Sequence, residues 1–305
     1  MRKQFSETIE KIAVRDTSVF FLTGDLGFMA LENVRDAIGD RFINVGVCEQ
    51  NMISIAAGLA LQGLRPVCYS IAPFAVFRPA EQIRLDVCLH NLNVKIIGNG
   101  GGYGYGIMGA THHALDDIAV LASFQNMRCF LPFCNEDVCG ITERMFAFNG
   151  PSYLRLGFGV KPQSVPLPHC APVRKLSKGN RKTVAALGPV VLNVLEAVHA
   201  DGMLEKDVEI FVVSEMPLNQ APGELLESIR KTKRLLVVEE HVQRGGLGGN
   251  LAEIVLQNGS ACVFEHIFAR GYPDGRCGSQ RYHQQISGMD PESIATRIKE
   301  MLNGK

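Results

Sequence analysis

Along the first 157 residues, short runs of apolar and often β-branched residues alternate with longer stretches whose apolar positions recur every three or four residues. The short runs predict strands at Val19–Leu22, Ile43–Val45, Val67–Tyr69, Val94–Ile97, Arg128–Leu131 and Tyr153–Leu156. The longer stretches predict helices near Met29–Ile38, Glu49–Gln62, Pro79–Leu89, Ala114–Ser123 and Glu136–Ala147. Continuously apolar strands separated by helices belong in a parallel sheet covered on both faces, because each crossover lays a helix over the sheet. The alternation stops over residues 158–182, where proline, glycine and basic residues crowd together without a period, the mark of a linker. It then resumes, with strands at Thr183–Leu187, Val208–Val213, Leu235–Glu239 and Cys262–His266 and helices near Val190–Ala200, Gly223–Lys231, Leu247–Gln257 and Pro291–Leu302. The expectation is an α/β protein of two domains, residues 1–157 and 183–305.

Composition narrows the class. A chain of 305 residues that is 46% hydrophobic and only 20% charged can fill two cores and still carry apolar surface that a large interface would hide. Its 31 basic and 31 acidic residues balance, so nothing suggests a nucleic acid or an anionic membrane as partner. No apolar run approaches the roughly 20 residues of a membrane span, and the polar start MRKQFSETIEK is unlike a signal peptide. Nine cysteines without a CxxC pair suit free thiols in a reducing cytoplasm. Cys134 and Cys139 lack the companion histidines a zinc site would need.

The chemistry concentrates in NVGVCEQNMISIAAGLA, Asn44 to Ala60, where a strand delivers the single carboxylate of Glu49 to the head of an otherwise apolar helix. A first-turn acid can simply favour the helix dipole. Burial would instead raise its pKa and let it share a proton. Downstream lie APFAVFRPAEQIR (Ala72 to Arg84) and the glycine-rich GNGGGYGYGIMGATHHALDD (Gly98 to Asp117). In this order and spacing the three segments resemble the pyrimidine-binding half of the transketolase family of thiamine diphosphate enzymes. The stretch after residue 182, with its VEEH and GGLG elements (Val238–His241, Gly245–Gly248), resembles that family's C-terminal domain. The fold implied is two doubly wound α/β domains, a thiamine pyrimidine-binding domain followed by a transketolase C-terminal-like domain.

The resemblance carries roles residue by residue. GVCEQN matches a motif whose glutamate hydrogen-bonds the aminopyrimidine ring and activates the cofactor, which points to Glu49. Phe74 and Phe77 stand where the family places aromatics around that ring. TGDLG implies an aspartate near the cofactor at Asp25. GATHH resembles a G-P-T-H-Q element whose histidine lies beside the thiazolium and the substrate, implying a catalytic and substrate-binding role for His112. His113, Arg2 and Tyr103 are carried as further substrate contacts. Asp116 and Asp117 read as helix caps, and Arg155 reads equally well as a phosphate ligand or a structural strand residue.

What is missing matters as much. The family's diphosphate domain carries a G-D-G motif followed by asparagines that hold the metal, and no such pair occurs: Gly24-Asp25-Leu26 departs at its third position. The resemblance therefore implies half an enzyme. A separately encoded N-terminal-type subunit would bind the diphosphate and Mg²⁺ or Ca²⁺, this chain would provide no metal ligands, and the assembly would be α₂β₂. The glycine loop lacks the family's sugar-phosphate-reading histidine and acid, and Phe158 replaces a phosphate-binding arginine, which implies a specialised sugar substrate. The alternatives are the β subunit of a 2-oxoacid dehydrogenase or synthase, and a non-catalytic interaction subunit. The GGLGGN turn could instead hold an anion at its helix start, although it lacks GxGxxG spacing. His241 and His266 read as hydrogen-bonded strand-end residues.

Overall fold

A computed structural model describes residues 1–303. Six strands form first along the chain: β1 (Val19–Thr23), β2 (Phe42–Asn44), β3 (Arg65–Ile71), β4 (Lys95–Asn99), β5 (Arg128–Phe130) and β6 (Ser152–Leu156). Six more follow: β7 (Val173–Lys175), β8 (Lys182–Leu187), β9 (Val208–Val213), β10 (Glu215–Met216), β11 (Arg234–Glu239) and β12 (Val263–Phe268). The first sheet runs β10-β5-β6-β4-β3-β1-β2 and is parallel except for the β10 edge, and the second runs β12-β11-β8-β9-β7 and is parallel except for β7. Both are doubly wound. Side chains of the first sheet alternate between two buried layers, Leu22, Cys68, Ile96 and Tyr153 on one face and Phe21, Val67, Ile97 and Leu154 on the other.

Several elements depart from the periodicity. The N-terminal segment, expected to be polar throughout, is the helix Arg2–Arg15, with Phe5, Ile9, Ile12 and Ala13 buried against the sheet. Its apolar stripe is narrow, and the polar majority masks it. The helix expected from Met29 starts at Glu32, because Met29 has a positive φ of 58°. The helix expected over Pro79–Leu89 is a short α turn, Ala80–Gln82, continued by the π-helical Ile83–Leu89. The strand expected at Cys262–His266 runs Val263–Phe268.

Two strands had no sequence signal. β7 forms inside the stretch expected to be linker and pairs antiparallel with β9. The two-residue β10 lies just beyond β9 and crosses to the first sheet, pairing Glu215 with Phe130 and Met216 with Cys129. The two sheets are thus stitched together. One apolar cluster contains residues of both, including Ile118 and Leu131 with Leu187, Val213, Met216 and Leu247. Arg174 of β7 clamps the seam: its two terminal nitrogens reach the Asp137 carboxylate at 2.6 and 2.7 Å and one also reaches Ser214 at 2.6 Å, all three residues being buried. Substituting Arg174→Leu leaves a buried carboxylate without its cation. A loss of about 3–5 kcal/mol is expected from chemical denaturation, and a loss below about 1 kcal/mol would remove this pair from the account of the seam.

Lys182, the first residue of β8, is fully buried with its ammonium 2.6 Å from the Met301 sulfur, and burial pushes its pKa down to about 7. Between that value and the ordinary lysine range, the unfolded chain holds a proton that the folded chain has released, so stability rises with pH across this window. Lys182→Met should therefore raise the melting temperature at pH 7. The gain should shrink as pH approaches 10, and a gain independent of pH would contradict the assignment.

Candidate functional site

Four adjacent parallel strands, β4, β3, β1 and β2, end on one edge of the first sheet. Ligands of open α/β sheets bind beyond such carboxyl ends, at the point where successive connections turn in opposite directions. Here that point lies between β1 and β3, since β1 leads outward to β2 and β3 leads back to β4. Asp25 follows β1, Glu49 follows β2, Phe74 and Phe77 follow β3, and Tyr105 and His112 follow β4.

Glu49 opens the helix Glu49–Leu61, only 3% exposed, and accepts from Arg78 Nη1 at 2.8 and 2.9 Å and from Ser70 Oγ at 3.3 Å. The Arg78 guanidinium lies 3.7 Å from the centre of the Phe74 ring, so one cation serves a buried carboxylate and an aromatic face together. Phe74 meets the His112 ring edge-on at 5.2 Å, and Tyr105 meets the same ring at 5.7 Å. Thr111 Oγ1 lies 2.9 Å from His112 Nδ1, which leaves Nε2 unengaged among the described hydrogen bonds. Asn99 donates to the Tyr105 hydroxyl at 2.9 Å. Two glycines permit this geometry. A side chain at Gly100 (φ 78°) would run into the Tyr105 ring, and Gly109 (φ 72°) kinks the 3₁₀ turn Gly106–Thr111 that presents His112.

The structure thus brings Glu49, Phe74 and His112 into one connected group. Arg2 is exposed at the first position of the helix Arg2–Arg15, and no described hydrogen bond joins it to this group. Asp25, at the neighbouring strand end with φ 58°, exchanges hydrogen bonds with the Asn44 side chain at 3.0 and 3.1 Å. Phe77 is half-exposed one turn beyond Phe74. Arg78, Ser70, Asn99 and Tyr105 were not singled out from the sequence. Arg78 was findable, since it falls four residues after Phe74 in a helical turn, the spacing that places two side chains together.

His113 and Tyr103, carried above as substrate contacts, are placed elsewhere. Tyr103 is fully buried, its hydroxyl donating to the Gly271 carbonyl at 3.1 Å and accepting from the Gly271 amide at 2.9 Å. His113 is 4% exposed, with Nδ1 2.6 Å from the Tyr272 hydroxyl and Nε2 2.8 Å from the Gly106 carbonyl, and burial lowers its pKa. Both face the second domain because the loop turns them inward where it turns His112 outward.

The remaining candidates resolve as structure. Asp117 is buried, accepting from the Tyr153 hydroxyl at 2.7 Å with Arg155 Nε at 3.4 Å, and Asp116 makes no side-chain capping bond. Arg155 is itself buried and donates to the Ala114 and Glu240 carbonyls at 2.8 and 3.0 Å. The anion cradle at the GGLGGN turn is filled from within: Glu239 accepts from the Leu247 and Gly248 amides at 2.7 and 2.9 Å and pairs with His266 at 2.7 Å. His241 is buried, donating from Nδ1 to the Val242 carbonyl and accepting at Nε2 from the Ala119 amide. Among the described residues no three His, Cys, Asp or Glu side chains gather as a metal site, and no helix is long and apolar enough to cross a membrane.

Two family models match the chain. The transketolase pyrimidine-binding domain matches residues 1–157, and the transketolase C-terminal domain matches residues 171–294. The chain belongs to the transketolase family. Among its relatives is one subunit of an apulose-4-phosphate transketolase from Actinobacillus succinogenes, 33% identical over 84% of this chain and 83% of that one. A putative transketolase C-terminal section from Methanocaldococcus jannaschii is 31% identical over 99% of this chain and 96% of that one. Among solved structures, a split gene transketolase described as an inactive beta4 tetramer superposes with a TM-score of 0.85 at 26% identity, covering 99% of this chain and 98% of that one. This transketolase-family chain therefore matches its C-terminal-type relatives over nearly their whole length.

The placement of Tyr103 has a direct test. Tyr103→Phe strands the Gly271 carbonyl and amide, so a stability loss of about 1–3 kcal/mol is expected in thermal or chemical unfolding. A fully stable variant with a raised KM would return Tyr103 to the substrate.

Proposed function

We propose that this chain is the C-terminal-type subunit of a split transketolase, which with a partner subunit moves a ketol or acyl unit from a ketose or 2-oxo acid donor to an aldehyde acceptor. The observation that carries the reading is Glu49, a buried carboxylate at a helix head on the carboxyl edge of the sheet, joined to an aromatic face and to His112. The side chains gathered here suit the aminopyrimidine of thiamine diphosphate. A planar cation already stacks on Phe74 at 3.7 Å while bonding Glu49, so a flat nitrogen heterocycle has both its face and its acceptor provided. When bound, that cofactor supplies the nucleophilic carbon and the electron sink of the reaction.

The chain's own residues do the rest. Glu49 would hold the ring nitrogen through a shared proton at its carboxylate oxygens, in the place Arg78 now takes. Phe74 and Phe77 would offer aromatic faces to the ring, and Asp25 would stand at the adjacent strand end. His112, with Nδ1 beside Thr111, directs Nε2 at the substrate oxygen that gathers charge. Arg2, exposed at the start of the first helix, would offer a cation to a polar end of the sugar.

Diphosphate and Mg²⁺ or Ca²⁺ fall to the N-terminal-type partner. Support for that partner is the apolar rim of the site: Phe28, Val47, Ile107 and Met108 are 81, 71, 80 and 54% exposed on loops that follow β1, β2 and β4. Two copies of each subunit, α₂β₂, working in the cytoplasm on a specialised sugar, complete the reading, with residues 1–157 and 183–305 as the functional domains. The relatives named for apulose 4-phosphate make that sugar phosphate the first substrate to try.

The test is co-purification with an N-terminal-type transketolase subunit followed by calorimetry with thiamine diphosphate and Mg²⁺. Metal-dependent binding by the pair and by neither chain alone is expected. Glu49→Gln preserves shape and the Ser70 contact, so assembly should persist while turnover falls about 10²–10⁴-fold. Full activity in that variant would sink the proposal.

A further inference from the structure

The segment that carries His112 and Tyr105 has little to hold it. Gly100, Gly102, Gly106 and Gly109 all have positive φ, and its own apolar side chains, Ile107 and Met108, point outward. Glycine-rich backbone loses the most freedom on ordering. Beyond the Leu156 carbonyl, the Asn99 side chain and the bridge from Gly102 to Ala114, its restraints come from the second domain. Tyr103 N–H donates to Glu240 Oε1 at 2.6 Å, and Glu240 is held in turn by Gln280 at 2.9 Å and Gln284 at 2.6 Å. The Tyr103 ring stacks on His283 at 4.5 Å with 9° between the planes, and His283 Nε2 accepts from the Gly278 amide at 3.1 Å.

At the other end of the segment, next to His112, stands His113. Gly106 O can only accept, so His113 Nε2 carries the proton, and Nδ1 must then accept from the Tyr272 hydroxyl at 2.6 Å. Both ring nitrogens are thereby spent, one within the loop and one across the domain seam.

We propose that Tyr272 is a positioning residue for the transketolase site: its hydroxyl, donating to Nδ1, holds the His113 ring in place, the imidazole then pins the Gly106 carbonyl, and the turn between them presents Tyr105 and His112. This rests on the reading of His112 as a substrate-facing group. Neither Tyr272 nor His113 touches substrate; their effect passes through the backbone of residues 106–113. The second domain, beyond stitching the sheets together, would set the geometry of the reacting edge.

The test uses the full chain, alone and with its partner. Tyr272→Phe keeps the ring that stacks on His113 and removes only the hydroxyl. In the partnered enzyme, kcat is expected to fall about tenfold while cofactor affinity and KM stay within about twofold, the pattern of a misplaced reacting group. His113→Ala should lose a similar factor. Combining the two should lose no more than either, because they break one chain of contacts. His113→Gln, whose amide can donate to Gly106 and accept from Tyr272, should recover most of the His113→Ala loss.

In the chain alone, imidazole ¹⁵N spectra should show His113 protonated at Nε2. Tyr272→Phe should shift the signals of His112, which Tyr272 does not touch. Independent, multiplying losses of the two variants, or unchanged His112 signals, would overturn the proposal. If the wild-type pair turned over no ketose, the functional reading would fail by itself, and the His112 spectra would still decide the latch.

Discussion

A loop made largely of glycine cannot define its own shape, and the reacting edge of this protein is built on one. The segment between β4 and the helix Asp117–Ala122 takes its form from what surrounds it: the Leu156 carbonyl that receives the Gly100 and Gly101 amides, the bridge between Gly102 and Ala114, and the groups of the second domain that grip Tyr103 and His113. Each restraint is a directional hydrogen bond to backbone or ring, the kind that selects one conformation where side-chain packing would tolerate several. The two domains are in this sense one machine part. The β10 strand and the Arg174–Asp137 pair keep the seam closed so that these bonds can form.

On the opposite wall, the problem is charge. A carboxylate as buried as Glu49 needs a partner, and Arg78 supplies it without leaving solvent altogether. A half-exposed arginine keeps its own charge within reach of water if it parts from Glu49, whereas the carboxylate would need a new partner at once. The fully buried pair Arg174–Asp137 has no such freedom and belongs to the framework. Exposure distinguishes a replaceable ion pair from a permanent one.

Legibility from sequence followed the range of the interactions. Most strands and helices could be read from unbroken apolar runs, as in β3, or from a helical apolar period, as in the helix Leu247–Gln257. The helix Arg2–Arg15 was missed since its stripe is diluted by lysine, glutamate and arginine, and β7 and β10 were missed since two or three residues carry no period. Glu49, Phe74 and His112 stood out from their motifs and do converge. Asp117, read as a cap, is spent on Tyr153 and Arg155, and for Arg155, read equally as ligand or strand residue, the buried contacts are structural. The GGLGGN turn lacks the spacing of an anion cradle, and the structure adds that Glu239 of β11 takes its amides.

By itself, then, the sequence determined the layering of two parallel α/β domains, the membership in the transketolase family, and the strand ends from which the site is assembled, because hydrophobic period and motif spacing are properties of the chain as written. The direction in which each loop side chain points was decided only in the tertiary structure. His112 and His113 are neighbours of identical chemistry, yet one faces Phe74 and the other Tyr272. What separates them is the kink at Gly109 and the hydrogen bond awaiting His113 in a domain 159 residues further along, a distance no local pattern can encode.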